Sequence, residues 1–174
     1  MTTLFAPRMT SVIAHVPHPR QQAFLMLTNL EALFGGAAGG GKSDALLMAA
    51  LQYVDYPHYN ALLLRRTFRD LSQSGGLIEK STAWLTGKAG WSDRDKRWSF
   101  ESGSSLTFGY CEHDSDVYQY QGSEYQFIGF DELTQFTEWQ YRYLYSRLRR
   151  LSTDNEAPLR MRAASNPGGI GHDW

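Results

Sequence analysis

The hydrophobic residues of this chain of 174 residues follow two different spacings. Continuous apolar runs, such as residues 61–64, are typical of strands that are buried on both faces of a sheet. Elsewhere, as in residues 134–150, apolar side chains return every three or four positions, which predicts a helix with one buried side. Because strands and helices alternate along the chain, we predict an α/β fold with a mostly parallel sheet.

The spacing predicts the order of the elements. Strands are predicted at residues 31–34, 61–64, 124–130 and 159–164, and helices at residues 20–30, 45–51, 68–85 and 134–150. We expect the first strand to be buried and the third helix to be interrupted at residues 74–76, where a serine precedes two glycines. The alternating segments 96–100 and 105–110 predict a β-hairpin. Residues 1–17 show no clear period, so we expect a loose arm before a domain at residues 18–174.

Composition and charge exclude several classes of protein. The length fits one domain, and 42% hydrophobic with 20% charged residues is an ordinary globular composition. The formal net charge of −1 provides no overall basic field, although a local basic patch can still bind nucleic acid. The single cysteine, Cys111, excludes an intramolecular disulfide and suits a reducing compartment. No apolar run approaches the roughly 20 residues of a membrane span, and no signal peptide begins the chain, so we expect a soluble, intracellular protein.

A complete phosphate-binding loop follows the first predicted strand. It fits the pattern G-x-x-x-x-G-K-[ST] at every fixed position and consists of Gly36, Ala37, Ala38, Gly39, Gly40, Gly41, Lys42 and Ser43. The glycines let backbone N–H groups turn towards phosphate oxygens, and the positive end of the following helix dipole faces the same point. Lys42 is expected to contact the β- and γ-phosphates of ATP, and Ser43 to bind Mg²⁺. The strand before the loop and the helix after it disfavour the alternative, a flexible glycine-rich linker.

An acidic pair, Asp131 and Glu132, ends the predicted strand at residues 124–130. Mg²⁺ prefers hard oxygen ligands, so we expect Asp131 to hold the ion, mostly through water. Glu132 could point towards the γ-phosphate and accept a proton from an attacking water as the general base. The alternative is that the pair caps the helix that begins near Thr134.

Three further polar residues are candidates for contacts with the nucleotide. Asn166 follows the last predicted strand and could bond the γ-phosphate or its water, or it could belong to a plain turn before Pro167. Gln21 and Gln22 precede the first strand, and a glutamine amide can make two hydrogen bonds to adenine. Ordinary exposed helix residues are an equally good interpretation of these glutamines.

Arginines are considered because phosphoryl transfer often recruits one, from the same subunit or from a neighbour. Arg65 and Arg66 end the strand at residues 61–64, where one of them could face the nucleotide. Arg147 and Arg149 lie near the end of the last predicted helix and are the preferred pair, because they could reach a neighbouring subunit. A solvated helix face is the alternative for both.

Taken together, these motifs resemble the ATPase half of the large terminase subunit of tailed bacteriophages, the motor that packages DNA. The resemblance extends from Pro19 to the end of the chain. It rests on the order of residues 19–22, 35–43, 62–67, 118–133 and 146–149, followed by residues 165–169. It implies a P-loop NTPase of the additional-strand, catalytic-glutamate type, with a mostly parallel central sheet flanked by helices and a β-hairpin insertion.

The resemblance also implies a function and partners. These are ATP hydrolysis coupled to the translocation of double-stranded viral DNA into a procapsid, in the cytoplasm of the infected bacterial host. It implies Lys42 and Ser43 at the phosphates and Mg²⁺, Asp131 at Mg²⁺, Glu132 as the catalytic carboxylate, and Ser165 with Asn166 as the coupling motif. The implied partners are further copies of the chain in a ring, a portal protein and the small terminase subunit, with no membrane.

The chain departs from the family pattern at two positions where many relatives carry an arginine. Ala37 and Ala38 stand within the phosphate loop, and Gln121 stands before Gly122, so the arginine that acts in catalysis is left open. The family continues into a lid and a C-terminal nuclease domain that residues 18–174 lack, so no nuclease activity is expected from them. Two other functions are left open: a recombinase- or helicase-like DNA-dependent ATPase, and a nucleotide-binding assembly module with little turnover by itself.

Overall fold

A computed structural model of the chain describes residues 6–36, 39–150 and 156–174. The strands in this part of the chain are β1 (Glu31–Gly35), β2 (Asn60–Arg65), β3 (Gly90–Ser92), β4 (Arg97–Ser99), β5 (Ser105–Tyr110), β6 (Phe127–Asp131) and β7 (Arg160–Ser165). They form a seven-stranded sheet in the order β1-β7-β6-β2-β5-β4-β3. The five strands from β1 to β5 in that order are parallel, whereas β4 and β3 are antiparallel. The predicted mostly parallel sheet is confirmed.

The described helices are α1 (Pro19–Leu25), α2 (Lys42–Leu51), α3 (Phe68–Ser72), α4 (Leu77–Leu85) and α5 (Glu138–Tyr145), with 3₁₀ segments at Asp114–Tyr120 and Leu133–Gln135. The predicted interruption between α3 and α4 is confirmed. The helices predicted at residues 20–30 and 134–150 are both shorter than expected. α5 begins where the Thr137 hydroxyl accepts a hydrogen bond from the backbone N–H of Gln140, and beyond it Leu148 forms a bridge with Tyr125.

The first strand corrects one expectation. We predicted a buried strand at residues 31–34, but β1 lies at the edge of the sheet and pairs with β7. Leu33 on its open face exposes 59% of its surface. Ala32 and Phe34 point the other way, and the Phe34 ring stacks on Phe24 with 5.2 Å between centroids. A run of three apolar residues cannot by itself reveal whether one or both faces of a strand are covered.

Helical layers cover both faces of the sheet. In β2, Ala61 and Leu63 pack in the core cluster that contains α2, whereas Leu62 and Leu64 pack with Leu144 of α5 on the other face. The predicted burial of this strand on both faces is therefore confirmed. Within the described residues, no helix is long and apolar enough to cross a membrane.

The predicted hairpin is also confirmed, since β4 pairs antiparallel with β5. β3 extends it by one strand, and the rings of Trp91 and Trp98 pack with centroids 5.0 Å apart. The indole N–H of Trp98 donates to Ser81 Oγ at 2.9 Å, which attaches the insertion to α4. The insertion therefore lies at the sheet edge opposite β1.

We expected a loose arm at residues 1–17, of which residues 1–5 lie outside the described residues, and residues 6–17 contain no helix or strand. Arg8 Nε donates to the carbonyl of Gln52 at 2.8 Å, and Thr10 Oγ1 donates to the carbonyl of Leu51 at 2.9 Å. This part of the arm therefore lies against the C-terminal end of α2.

Candidate functional site

The carboxyl ends of four parallel strands lie at one edge of the sheet and bring the predicted motifs together. Gly35 of β1 is in register with Ser165 of β7, and Asp131 of β6 is in register with Ala164. A pocket of about 260 Å³ opens there and is lined by Gly39, Gly40, Gly41, Lys42, Ser43, Asp44, Lys80, Glu132 and Asn166. The phosphate loop, Glu132 of the acidic pair and Asn166, which are far apart in the sequence, therefore border one cavity.

The phosphate loop is closed by hydrogen bonds at the start of α2. Gly41 has a left-handed backbone, with φ of 66°, and a Cβ there would lie 2.6 Å from Gln21 Nε2. Only glycine meets both demands without strain. Lys42 Nζ donates to the carbonyl of Gly36 at 3.0 Å, so its ammonium group lies across the loop. Ala37 and Ala38, also predicted in the loop, lie outside the described residues.

Gln21 has a structural role that its sequence position did not reveal. Its side chain is buried, its Oε1 accepts from the backbone N–H of His18, and its Nε2 donates to the carbonyl of Gly41, both at 2.8 Å. It thereby links the start of α1 to the phosphate loop. Gln22 is exposed and donates to the carbonyl of Pro17 at 3.2 Å. The contact of either glutamine with adenine stays a prediction.

Asp131 ends β6 as a buried carboxylate between a hydroxyl and a guanidinium. Ser43 Oγ lies 3.1 Å from each carboxylate oxygen and donates to them. Arg65 Nε lies 3.0 Å from Oδ2, but its N–H is not directed at the oxygen, so attraction between the charges holds the pair. Burial raises the pKa of Asp131 above its ordinary value, and Arg65 and Ser43 oppose that rise. The carboxylate is thus held where a further cation would stabilise it.

Metal-binding side chains are few at this point. Among the described residues, no group of three or more histidine, cysteine, aspartate and glutamate side chains could hold a metal ion. A cation bound at Asp131 and Ser43 would therefore take most of its ligands from water and from substrate oxygens. Mg²⁺ characteristically binds in this way.

Glu132 has an unusual backbone conformation for a residue with a side chain. Its φ is 59° and its ψ is 56°, in the left-handed region, which costs about 1–3 kcal/mol for residues other than glycine. Glu132 precedes the 3₁₀ segment Leu133–Gln135, but its side chain makes no capping hydrogen bond there. Its Oε1 instead accepts from the side-chain amide of Asn166 at 3.3 Å. The backbone therefore turns the carboxylate towards the pocket and not towards a helix end.

The end of β7 is tied to the segment that follows Glu132. Ser165 Oγ lies 2.9 Å from Thr134 Oγ1 and accepts from the backbone N–H of Thr134 at 3.2 Å. The next residue, Asn166, directs its amide N–H at Glu132, while its Oδ1 is buried and has no hydrogen-bond partner. A plain turn before Pro167 does not account for these contacts.

The structure does not bring Arg147 or Arg149 to the pocket. The Arg147 carbonyl accepts from the backbone N–H of Tyr125, and the N–H of Arg149 donates to the Tyr125 carbonyl, both at 3.0 Å. Tyr125 precedes β6, so these arginines lie at the strand end opposite Asp131, roughly 20 Å away at about 3.3 Å per residue. Neither side chain can reach the pocket of its own chain, and a contact with a neighbouring subunit stays a prediction.

Two further cationic residues lie close to the site, and only Arg65 was among the arginines considered from the sequence. Lys80 of α4 lines the pocket, and its Nζ lies 2.9 Å from Asp44 Oδ1. Arg65 pairs with Asp131, whereas Arg66 donates to Gln140 Oε1 at 2.7 Å on the other side of the sheet. A lysine in a surface helix carries no local signal that it borders a distant loop.

A larger hollow of about 510 Å³ lies beside α5. It is lined by Glu31, Leu133, Glu138, Tyr141, Arg142, Tyr145 and Trp174. Arg142 is the cationic residue of this hollow, and its Nη2 pairs with Glu138 Oε1 at 2.7 Å. We assign the chemistry to the smaller pocket because the phosphate loop and Glu132 border it, with Asp131 bonded to Ser43 of the loop.

Comparisons with known proteins agree with this geometry. A family model described as terminase large subunit, T4likevirus-type, N-terminal, matches residues 33–160. A sequence comparison with curated proteins found no match.

Solved structures share the fold. The large terminase of a thermophilic bacteriophage matches with a TM-score of 0.65 and 13% identity over 98% of this chain and 42% of that chain. The large terminase ATPase domain of Thermus phage P74-26 has a TM-score of 0.63 and 16% identity over 94% of this chain and 72% of that domain's chain. The N-terminal domain of the DNA packaging ATPase from bacteriophage phi29 has a TM-score of 0.57 and 14% identity over 83% of this chain and 76% of that chain. The predicted fold class is confirmed, and the structure shows that β7 is the strand inserted between β1 and β6.

Proposed function

Because the chain belongs to the T4likevirus-type family of terminase large-subunit N-terminal regions, we propose that it hydrolyses ATP to drive double-stranded viral DNA into a procapsid. The observation that carries this proposal is the single pocket bordered by Lys42, Ser43, Glu132 and Asn166, with Asp131 bonded to Ser43. Solved structures of the large terminase from the thermophilic bacteriophage include complexes with ADP and with ATP-gamma-S, which supports nucleotide binding here.

The loop and the start of α2 would bind the phosphates of ATP. Lys42 Nζ now bonds the carbonyl of Gly36, and a phosphate oxygen with a full negative charge is a stronger acceptor than that carbonyl. The N-terminal end of α2 adds backbone N–H groups and the positive end of its dipole. Gln21 of α1 bonds Gly41 of the loop, and Gln21 and Gln22 remain the candidates for contact with adenine.

Ser43 and Asp131 would hold Mg²⁺. The fit rests on two hard oxygen donors that already lie within 3.1 Å of each other, one of them on a buried carboxylate. When bound, the ion would neutralise charge on the β- and γ-phosphates. Arg65 pairs with the same carboxylate, so it compensates the Asp131 charge before the ion arrives.

Glu132 would act as the general base. Its carboxylate borders the phosphate pocket and could accept the proton of the water that attacks the γ-phosphorus, giving ADP and inorganic phosphate. The hydrogen bond from Asn166 is long at 3.3 Å, so the carboxylate can exchange it for a bond to water. Since Asn166 directly follows β7, this exchange could report the state of the nucleotide to the rest of the chain.

The wider assignment concerns a larger protein. The chain spans 42% of the length of the large terminase from the thermophilic bacteriophage, so the activity and partners of the whole motor are proposals. We assign residues 18–174 to the ATPase domain and residues 1–17 to an arm before it. The proposed partners are duplex DNA, copies of the chain in a ring, a portal protein and the small terminase subunit, in the cytoplasm of the infected bacterium.

Duplex DNA and procapsids separate this function from the alternatives. We expect phosphate release that depends on MgATP and rises with long duplex DNA, and in the full-length motor the DNA should become protected from nuclease only when procapsids are present. DNA-stimulated hydrolysis with no dependence on procapsids would favour a recombinase- or helicase-like ATPase. Tight ATP binding without turnover in the full-length motor would favour an assembly module.

A further inference from the structure

Lys80 forms an ion pair at the rim of the phosphate pocket. It lies on α4, and its Nζ is 2.9 Å from Oδ1 of Asp44, with side-chain exposures of 31% and 25%. Asp44 directly follows Ser43 in the first turn of α2. The pair therefore bridges α4 to the start of the helix that carries the phosphate loop.

The charges around the pocket leave few cationic side chains to neutralise a bound triphosphate. Of the described residues that line it, only Lys42 and Lys80 are cationic, whereas Asp44 and Glu132 are anionic. A triphosphate adds further negative charge, and Asp44 would repel it if Lys80 were absent. Burial raises the pKa of Asp131, and the charge of Lys80 is among the influences that oppose this rise, so its field reaches the metal-binding carboxylate.

The arginines that could neutralise the γ-phosphate either contact other side chains or lie far from the pocket. Arg65 pairs with Asp131, Arg66 bonds Gln140, and Arg147 and Arg149 lie at the opposite end of β6. The phosphate loop itself contains no arginine. Lys80, in contrast, borders the same pocket as Glu132 and Asn166 and has a long, partly exposed side chain that can move.

We propose that Lys80 leaves Asp44 when ATP binds and contacts the γ-phosphate from within the same chain. This proposal rests on the proposed function, because it takes ATP as the ligand of the pocket. A partly exposed ion pair is weak, whereas a γ-phosphate offers more charge and several acceptor oxygens. A γ-phosphate that meets Glu132 would lie in the cavity that Lys80 borders. Asp44 then serves to hold the lysine beside the loop until the nucleotide arrives.

Calorimetric titration of the whole chain with ATP-gamma-S or ADP, each with Mg²⁺, tests this contact. We expect Lys80→Gln to weaken ATP-gamma-S binding about tenfold and to leave ADP binding nearly unchanged, because only the former has the third phosphate. Lys96→Gln is the matched control, since Lys96 pairs with Asp93 at 2.7 Å with a similar exposure of 29% but lies outside the pocket. Lys80→Arg, which keeps the charge, should retain most of the affinity, and thermal melting checks that each variant is folded.

The double variant distinguishes a direct contact from simple neutralisation of Asp44. If Lys80 contacts the phosphate, Asp44→Asn with Lys80→Gln should bind ATP-gamma-S about tenfold more weakly than Asp44→Asn alone. Recovery of wild-type affinity in the double variant, or unchanged affinity in Lys80→Gln, would overturn the proposal. If the wild type binds both nucleotides and Lys42→Ala weakens that binding, the nucleotide site is supported independently of Lys80. A wild type that binds neither nucleotide would overturn both proposals.

Discussion

The side-chain amide of Asn166 donates a hydrogen bond to Oε1 of Glu132 across 3.3 Å, which joins the residues that follow β7 and β6. Glu132 adopts a left-handed backbone with φ of 59°, so the chain accepts strain at the residue whose carboxylate borders the phosphate pocket. A residue whose role was to cap the next helix would not need this conformation. The relationship instead suits a carboxylate held in place for chemistry.

We expect Glu132→Gln to bind MgATP with near wild-type affinity and to lose turnover by about 100-fold or more, because an amide keeps the shape but cannot accept the proton. Phosphate release and nucleotide titration measure the two properties separately. Glu138→Gln, which changes an exposed carboxylate of α5 outside the phosphate pocket, is the control. Loss of ATP binding in Glu132→Gln would point to a structural role.

The contacts of Ser43 with Asp131 predict a defined effect on the metal. We expect Ser43→Ala to raise the Mg²⁺ concentration needed for tight ATP binding by about tenfold, since one protein oxygen is lost from the site. ATP binding measured in EDTA should change little, because Lys42 and the loop N–H groups remain. An equal loss of affinity with and without Mg²⁺ would contradict this role for Ser43.

Cys111 provides a prediction about reactivity. Burial raises the pKa of its thiol to about 12, and the residue is fully buried after β5. Because burial raises the pKa of the thiol from 9.0 to about 12 in the folded state, its contribution to stability is complete at neutral pH and is lost as the pH rises from about 9 towards 12. A thiol reagent at pH 8 should leave the folded chain unlabelled and label it at once in urea. Rapid labelling of the folded chain would contradict the placement of Cys111.

The trans role of Arg147 and Arg149 needs a test in the assembled motor, because both lie at the end of β6 remote from Asp131. We expect Arg147→Ala or Arg149→Ala to bind ATP normally and to lose turnover. Mixing with Glu132→Gln subunits should restore part of the turnover, since some mixed interfaces then carry both the base and the arginine. If both arginine variants keep full turnover with procapsids present, these side chains are a solvated surface.

Local motifs predicted most of the residues that line the pocket, and the parallel sheet predicted that they would meet. Strand ends in a parallel sheet lie at one edge, so Lys42, Asp131 and Asn166 could be placed together from the sequence alone. The positions of Lys80 and the arginines depended on how helices pack on the sheet, which no short window of sequence records. The exposure of Leu33 could not be predicted either, because the order of strands in the sheet decides which neighbours cover a strand.

The central claim is that ATP is hydrolysed at the pocket formed by the phosphate loop, Asp131 and Glu132. The most direct measurement compares phosphate release from MgATP by the wild type and by Lys42→Ala, with duplex DNA present and with Lys96→Gln as the control. The account predicts turnover in the wild type and in the control, and neither turnover nor tight ATP binding in Lys42→Ala, because the cation across the loop is lost. Equal turnover and equal ATP affinity in Lys42→Ala and the wild type would contradict it.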